Sequence, residues 1–413
     1  MHLRYSLKTA VTGLRTNKSR SALTILGIVI GITAIILVMS VSSGARNLIL
    51  GEINSLGSAT IRIAPGKETE GPSALTNLFT DSLKVRDYEA LQKKNNVPNL
   101  EKIMPVVLVP GGNTEFEGKT YNGQTFGSSE VMTEMMDLKI GQGNFFDETD
   151  VRQLANVVVI GDKVKNELFG ESDALNQKIK IKGKNFRIVG IFEPTGSSIF
   201  FNVDDVAVIP YTTAQTYLTG TNYFNEMIVR ATTEDLVDET VQNITATLRE
   251  THGIDNPEND DFSIVTQKDL AKRVGTVTAA LAALLSAVAA ISLIVGGVGI
   301  MNIMLVSVTE RTREIGLRKA LGATYRDILR QFLFESVLLT VIGGIVGIIL
   351  GALFSFLTAK VLSISFGLNW QFALPISSVL LGIGVSAVVG LIFGLYPARK
   401  AARKSPIEAL RFE

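Results

Sequence analysis

Four long stretches without a charged residue constrain this sequence most. A helix needs about 20 mostly apolar residues to cross the roughly 30 Å hydrocarbon core of a bilayer, and each stretch is long enough. They predict transmembrane helices at 21–43, 274–309, 336–359 and 375–397. The chain is therefore predicted to be an integral membrane protein with a separate external segment, 44–273, between the first two helices.

Lysine and arginine residues are concentrated on one side of these helices. The N-terminal segment 1–20, the loop 310–335 and the tail 398–413 contain five, six and five of them, whereas 361–374 contains none. Short loops rich in these residues stay in the cytoplasm. Both termini are thus predicted to be cytoplasmic, and the external segment and the loop 360–374 to be periplasmic or extracellular. A cleaved signal peptide is the alternative for the first helix, but its apolar core is too long.

Composition excludes several kinds of site. The external segment has 23 Lys/Arg and 33 Asp/Glu, whereas the rest of the chain has 17 and 6, which suggests two different environments. Without cysteine the chain cannot form disulfides, a thiol nucleophile or a Cys-ligated zinc site, and His2 and His252 are its only histidines. The predicted helices contain no charge, which argues against an ion-coupled carrier. No catalytic, cofactor or metal residue is assigned, and nothing indicates nucleic-acid binding.

The second predicted helix is longer than a membrane requires. A helix of 36 residues is about 54 Å long, and the hydrocarbon core takes about 30 Å of that length. Because 279–290 is rich in strong helix formers, we expect the excess to form a stalk beside the external segment. A loop at 276–278 before an ordinary span is the alternative.

Glycines recur at four-residue spacing in three of the predicted helices. This spacing lets helices approach closely, either within one four-helix bundle or at a seam between two copies. Because four helices are few for an active transporter, a homodimer is attractive. The glycines are Gly27 and Gly31, then Gly343, Gly347 and Gly351, and finally Gly390 and Gly394.

The external segment has the pattern of a mixed α+β fold. Periodicity and short apolar runs predict strands at 58–64, 102–110, 156–160, 227–231 and 261–266, helices at 85–94 and 240–252, and a hairpin over 178–192. Two subdomains are expected: one from the ends, 44–110 and 225–273, and a β-rich insert, 111–224.

Residues 3–14 have a basic amphipathic pattern that predicts a helix on the inner leaflet, or else an ordinary segment before the first span.

The loop 310–335 combines helical charge spacing with start and stop signals. Charged residues at 310, 314 and 318 recur at the i,i+4 spacing of a helix face. Gly322 predicts a stop, and Thr324 with Asp327 predicts a capped restart. A short charged helix of this kind is either a docking element or a solvated connector that only sets topology, and its residues alone do not decide.

One segment carries a specific likeness to a known family. Residues 297–323 contain Gly-Val-Gly, Ile-Met-Asn-Ile-Met-Leu, Glu-Arg-Thr-Arg-Glu-Ile-Gly, Arg-Lys-Ala and Gly-Ala in succession. Looser matches occur at 17–28, 159–190 and 396–411. These motifs closely resemble the permease of MacB-type ABC exporters, within the wider FtsX/LolC group.

The resemblance implies a homodimer of four-span subunits in a bacterial cytoplasmic (inner) membrane, with a porter-like external core formed by 44–110 and 225–273. It also implies that ATP-driven closure of cytoplasmic ATPase subunits is passed along the stalk. In this family the loop between helices two and three contacts the ATPase. The matching residues here are Glu310, Arg311, Arg313, Glu314, Ile315, Gly316, Arg318, Lys319, Ala320, Gly322 and Ala323.

The sequence lacks the phosphate loop G-x-x-x-x-G-K-[ST] that such an ATPase needs. The expectation is therefore that the chain is not itself an enzyme, and that a separate ATPase subunit binds ATP and Mg²⁺. An external membrane-fusion or adaptor protein is a further expected partner. Export of an antibiotic, peptide or lipid-like substrate is favoured because the external segment is large. FtsX-like mechanical regulation of an external enzyme and lipoprotein release are the alternatives.

Overall fold

The computed structural model describes residues 18–55, 57–67, 80–195, 202–366 and 370–410. The chain divides into two compact units, which are described separately. The helical unit contains Met1–Leu48 and Val274–Glu413, and the α/β unit contains Ile49–Arg273. The amphipathic helix predicted at 3–14 lies outside the described residues.

The first helix, α1, extends over Lys18–Ser55 and is longer than the predicted span. Its segment Ile25–Gly51 is long and apolar enough to cross a membrane. The prediction ended at the first cluster of serine and glycine. The helix continues because no proline follows and Leu48, Ile49 and Leu50 are compatible with it.

Twelve strands of the described residues form one mixed sheet in the α/β unit. Neighbouring strands are antiparallel except for β5 with β10 and β7 with β9. The order is β12-β1-β11-β2-β5-β10-β7-β9-β8-β3-β4, and β6 pairs with β9. The strands are β1 Thr60–Pro65, β2 Leu100–Leu108, β3 Thr114–Phe116, β4 Lys119–Tyr121, β5 Gln124–Ser128, β6 Ile140–Gly143, β7 Val157–Ile160, β8 Lys178–Ile181, β9 Lys184–Phe192, β10 Val206–Pro210, β11 Glu226–Ala231 and β12 Phe262–Thr266.

Among the described residues, six α-helices accompany this sheet. They are α2 Val85–Gln92, α3 Met132–Met135, α4 Glu148–Arg152, α5 Asp162–Phe169, α6 Tyr211–Thr213 and α7 Val237–His252. The strands and helices that the sequence predicts each overlap one of these elements, so those predictions are confirmed to within a few residues.

The predicted hairpin over 178–192 is confirmed in detail. Ile179 and Ile181 of β8 are buried, whereas Lys178 and Lys180, which alternate with them, are exposed. Lys182 and Gly183 connect β8 to β9 with φ angles of +48° and +78°. Positive φ at both central residues is the signature of a type I′ turn, whose twist matches that of the flanking strands.

The strands from the two ends of the α/β segment pair with one another, as the predicted division into an end-derived part and an insert requires. The hydrophobic core, however, is shared between these two parts. β1, β11 and β12 come from the ends of the segment and pair with one another and with β2. One apolar cluster nevertheless contains Ile61 and Ile63 of β1 together with Ile179 and Ile188 of the insert. Since the two parts share a core, their status as separate subdomains stays a prediction.

Five further helices of the described residues lie wholly or for the most part in the helical unit: α8 Gln267–Glu310, α9 Thr312–Ala320, α10 Tyr325–Phe366, α11 Ile376–Arg403 and α12 Pro406–Leu410. With α1, the helices α8, α10 and α11 are long and apolar enough to span a membrane, which makes four candidate membrane helices within the described part of the chain. The loop alternative at 276–278 is wrong, because α8 is helical there and Thr278 donates a hydrogen bond to the carbonyl of Val274 at 2.7 Å.

The third membrane helix differs most from its prediction. α10 begins at Tyr325 rather than at 336 and ends at Phe366 rather than at 359. The predicted span counted only the uncharged run and so left out the charged residues of the first turns. The helix includes them, because it begins at the capped restart that Thr324 and Asp327 predicted, as described below.

Candidate coupling element

α9 follows directly from the second membrane helix. Only Arg311 separates α8 from α9, and its N–H donates to the carbonyl of Ser307 at 3.0 Å, as in a continuing helix. The hydroxyl of Thr312, which is buried, donates to the carbonyl of Val308 at 2.9 Å. The predicted short charged helix therefore exists and is joined to α8 without a flexible linker.

α9 has a buried face and an exposed face. Thr312, Ile315 and Gly316 are buried, at the three- and four-residue spacing of one helix face. Leu317 and Leu321 are 54% and 80% exposed. The exposed face of α9 and its end therefore carries two leucines beside charged residues.

Both boundary signals that the sequence contains are confirmed. Gly322 has a φ of +97°, and the N–H of Ala323 donates to the carbonyl of Arg318 at 3.0 Å, which closes the helix end. The N–H of Thr324 donates to Asp327 at 3.0 Å, and the N–H of Asp327 donates to the Thr324 hydroxyl at 3.3 Å. This reciprocal capping box starts α10.

Two ion pairs in this region differ in burial. Glu314 and Arg318 form the predicted i,i+4 pair at 2.5 Å on the exposed face, where such pairs contribute little stability. Arg311 lies 3.3 Å from Glu335 of α10, and their side chains are only 19% and 8% exposed. The sequence did not single out Glu335. The only feature of the sequence that marks position 335 is a carboxylate directly before an uncharged apolar run.

The C-terminal part of the chain covers the buried face of α9. The Lys319 ammonium donates to the carbonyls of Ala402 and Lys404 at 2.6 and 2.8 Å, at the end of α11. A Cβ atom on Gly316 would lie 2.6 Å from the Cβ of Ala409 in α12, so only glycine permits this approach. Sequence reasoning missed the contact with α12.

The predicted coupling residues thus lie in one compact segment but fall into different environments. Ile315 and Gly316 are buried within the chain, and Arg311, Arg318, Lys319 and Ala323 are half-buried. The exposed members of the predicted set are Glu310, Arg313, Glu314, Ala320 and Gly322.

The glycine stripes lie between helices of the same chain. A Cβ on Gly27 would lie 2.9 Å from the Cα of Gly296 in α8, and one on Gly347 would lie 2.9 Å from the carbonyl oxygen of Val29 in α1. Gly31 faces α8, Gly343 and Gly351 face α1, and Gly390 and Gly394 face α10. These contacts favour packing within one copy over a seam between two copies.

The α/β unit contains a buried charged cluster that the sequence did not indicate. His252 at the end of α7 is 3% exposed; its Nδ1 lies 2.6 Å from Asp261 and its Nε2 lies 3.1 Å from Asp87, which is fully buried. The Asp87 carboxylate and then that of Asp261 raise the pKa of His252 against the opposing effect of burial. Because both ring nitrogens face carboxylates, the geometry suits the imidazolium form.

Two family models match the chain: the MacB-like periplasmic core domain over residues 21–247 and the FtsX-like permease C-terminal domain over 286–406. The chain is 36% identical over 413 residues to the macrolide export ATP-binding/permease protein MacB of Bdellovibrio bacteriovorus, covering 100% of this chain and 62% of that protein. Identity to the protein of the same description from Syntrophobacter fumaroxidans is 34% over 464 residues, covering 99% and 64%. The periplasmic region of MacB from Actinobacillus actinomycetemcomitans is a structural neighbour at 20% identity and a TM-score of 0.47, covering 54% of this chain and 95% of that one.

Four membrane helices, an α/β unit and the matched domains together define a permease of the ABC transporter class. The chain belongs to the MacB-type family of these permeases and has an FtsX-like permease domain. It spans less than two thirds of the length of these MacB relatives.

Proposed function

We propose that the chain is the membrane subunit of a MacB-like exporter, in which ATP hydrolysis outside these 413 residues is converted into movement of the α/β unit. The observation that carries this proposal is α9, which exposes leucines on one face while its other face is fixed inside the chain. A helix of this kind can receive force from a partner without folding around it.

The remaining parts of the proposal follow the family and the charge pattern. The permease lies in a bacterial cytoplasmic membrane with both termini and α9 in the cytoplasm, and it works as a homodimer beside an external adaptor. An ABC ATPase holds ATP and Mg²⁺ and docks on α9. The substrate class is an antibiotic, peptide or lipid-like molecule, since the relatives' names specify macrolide export.

The sequence Gly118-Lys119-Thr120 resembles the end of a phosphate loop, but Gly118 lies in the turn between β3 and β4, and Lys119 and Thr120 begin β4 and pair with β3. A phosphate loop lies between a strand and a helix, whose amides hold the phosphates. This segment therefore offers no nucleotide site, which supports an ATPase located elsewhere.

Co-purification tests the docking step. The full chain is expressed with a candidate ABC ATPase and isolated in detergent, beside Arg313→Glu and Leu317→Asp on the exposed face of α9. Both variants are expected to retain less ATPase than the parent. Lys178→Glu, which changes an exposed lysine of β8, is the matched charge control and is expected to retain as much as the parent.

Transport is tested separately, by macrolide accumulation in cells that lack their own exporters. Lower accumulation with the parent than with Leu317→Asp would support export. ATPase binding without any change in accumulation would favour the mechanical signalling alternative. If the parent chain binds no ATPase, the proposal that an ABC ATPase drives it is refuted.

A further inference from the structure

α9 is attached to the rest of the helical unit at both of its ends. At its start, Arg311 pairs with Glu335 of α10; at its end, Lys319 donates to the carbonyls of Ala402 and Lys404. Arg311 and Lys319 are eight positions apart in the chain, which corresponds to only about 12 Å along a helix axis. The helix therefore cannot tilt at either end without breaking a charged contact.

Each tie has a specific chemical requirement. The carbonyls at the end of a helix have no intrahelical partner and carry the negative end of its dipole, so an ammonium group suits them. Removing one partner of a buried ion pair leaves the other charge uncompensated, so Arg311 and Glu335 depend on each other. Between the two ties, the close approach of Gly316 to Ala409 places α12 directly on α9.

We infer that Glu335 and Lys319 are positioning residues that join α9 to α10 and α11, so that displacement of α9 by an ATPase moves these membrane helices as one block. Neither residue contacts the ATPase in this scheme. The C-terminal helix α12 belongs to the same block. The inference rests on the proposed function and adds a role for residues outside the docking face.

The experiment separates ATPase docking from transmission of its movement. The chain has no cysteine, so Ile364→Cys, at an exposed position near the end of α10, gives a reporter without background. The full chain and its ATPase are reconstituted in nanodiscs, and the rate of maleimide labelling at 364 is compared with and without ATP and vanadate. The amount of bound ATPase is measured in the same samples.

Glu335→Gln and Lys319→Met are expected to bind the ATPase within about twofold of the parent, and to lose about fivefold or more of the ATP response at 364, the lower end of typical coupling factors. Lys319→Arg keeps a donor for the carbonyls and is expected to restore much of the response. Glu115→Gln in β3 and Lys400→Met change exposed residues of the same types outside α9 and are the matched controls, expected to behave like the parent.

Three results would overturn the inference. Variants that keep the full ATP response would show that the ties do not transmit movement. Variants that lose the ATPase itself would make Glu335 and Lys319 docking or folding residues. A parent that binds the ATPase but gives no ATP response at 364 would refute transmission to α10 while leaving docking intact. A parent that binds no ATPase refutes the proposed function itself, which is a distinguishable failure.

Discussion

The buried cluster at His252 gives the sharpest test of the α/β unit. We expect Asp87→Asn to open the contact between α2 and α7, because the imidazolium of His252 would lose its fully buried partner. Breaking a buried ion pair by removing one partner costs about 3–5 kcal/mol. Two features reduce this cost. Asp261 remains on the other ring nitrogen, and an asparagine at 87 can still accept the N–H of Lys84, which lies 2.8 Å from Asp87.

We therefore expect a loss of about 2–3 kcal/mol in the free energy of opening, since about 1.4 kcal/mol corresponds to a factor of ten. Hydrogen exchange of the α2 and α7 amides in the full chain should accelerate roughly 30- to 100-fold. Asp238→Asn is the matched control. Asp238 forms an ion pair with Lys268 in which both side chains are at least 75% exposed, and such pairs contribute little.

The effect of pH has a defined sign. The pKa of His252 is raised in the folded state. Its contribution to the free energy of unfolding is therefore complete below its unfolded pKa of about 6.5 and is lost as pH rises through the folded pKa. Burial alone would raise the pKa of Asp87, but hydrogen bonds from His252 and Lys84 lower it on balance. The stability that the Asp87 carboxylate contributes is therefore lost only as pH falls through this lowered pKa. The difference between parent and Asp87→Asn should therefore be largest from about pH 4 to 6.5 and decrease at alkaline pH. Exchange within twofold of the parent across this range, or a difference that grows with rising pH, would refute the imidazolium assignment.

Three further results are expected. Gly27→Ala should destabilise the detergent-solubilised chain by about 1–3 kcal/mol, because its Cβ would meet the backbone of Gly296. Gly384→Ala is the control, since a Cβ at 384 meets only open space. Equal melting temperatures of the two variants would contradict the close contact between α1 and α8. Gly183→Ala should destabilise the β8–β9 hairpin by about 1 kcal/mol because its φ is +78°, measured as faster hydrogen exchange in β8 than in the parent. In intact cells an impermeant maleimide should label Lys178→Cys but not Arg313→Cys, and the reverse pattern would invert the proposed orientation.

The sequence predicted features that depend on local spacing. The apolar stretches gave the membrane helices, alternation in Lys178–Ile181 gave β8, and Gly322 with Thr324 and Asp327 gave the ends of α9 and the start of α10. Helix lengths were less predictable, because charged or polar residues at 46 and 326 were compatible with continued helix once caps and packing favoured it.

The contacts that the sequence missed join residues far apart in the chain. Asp87 and His252 belong to different helices of the α/β unit, and Lys319 reaches carbonyls more than eighty residues away. No spacing rule identifies such partners, because the pairing is set by how the elements pack. A carboxylate beside an apolar run, such as Glu335, is the one sequence signal that points to a buried partner among the arginines of the preceding loop.

The small and uncharged residues of the membrane helices are suited to passing a movement from helix to helix through close packing, and not through the displacement of charged groups. α1 and α10 are joined where Thr33 donates to the carbonyl of Gly347 at 3.1 Å, and α10 and α11 where Ser336 donates to the carbonyl of Gly390 at 2.9 Å. At glycine contacts the helix backbones approach closely, and closely packed interiors transmit displacement instead of absorbing it. A push on α9 that reaches α10 through Glu335 would consequently move α11 and α1 as well. In this scheme the ties at Glu335 and Lys319 start the movement at one end of the bundle, and close packing passes it on, so that no charge in the middle of the membrane is needed to relay it.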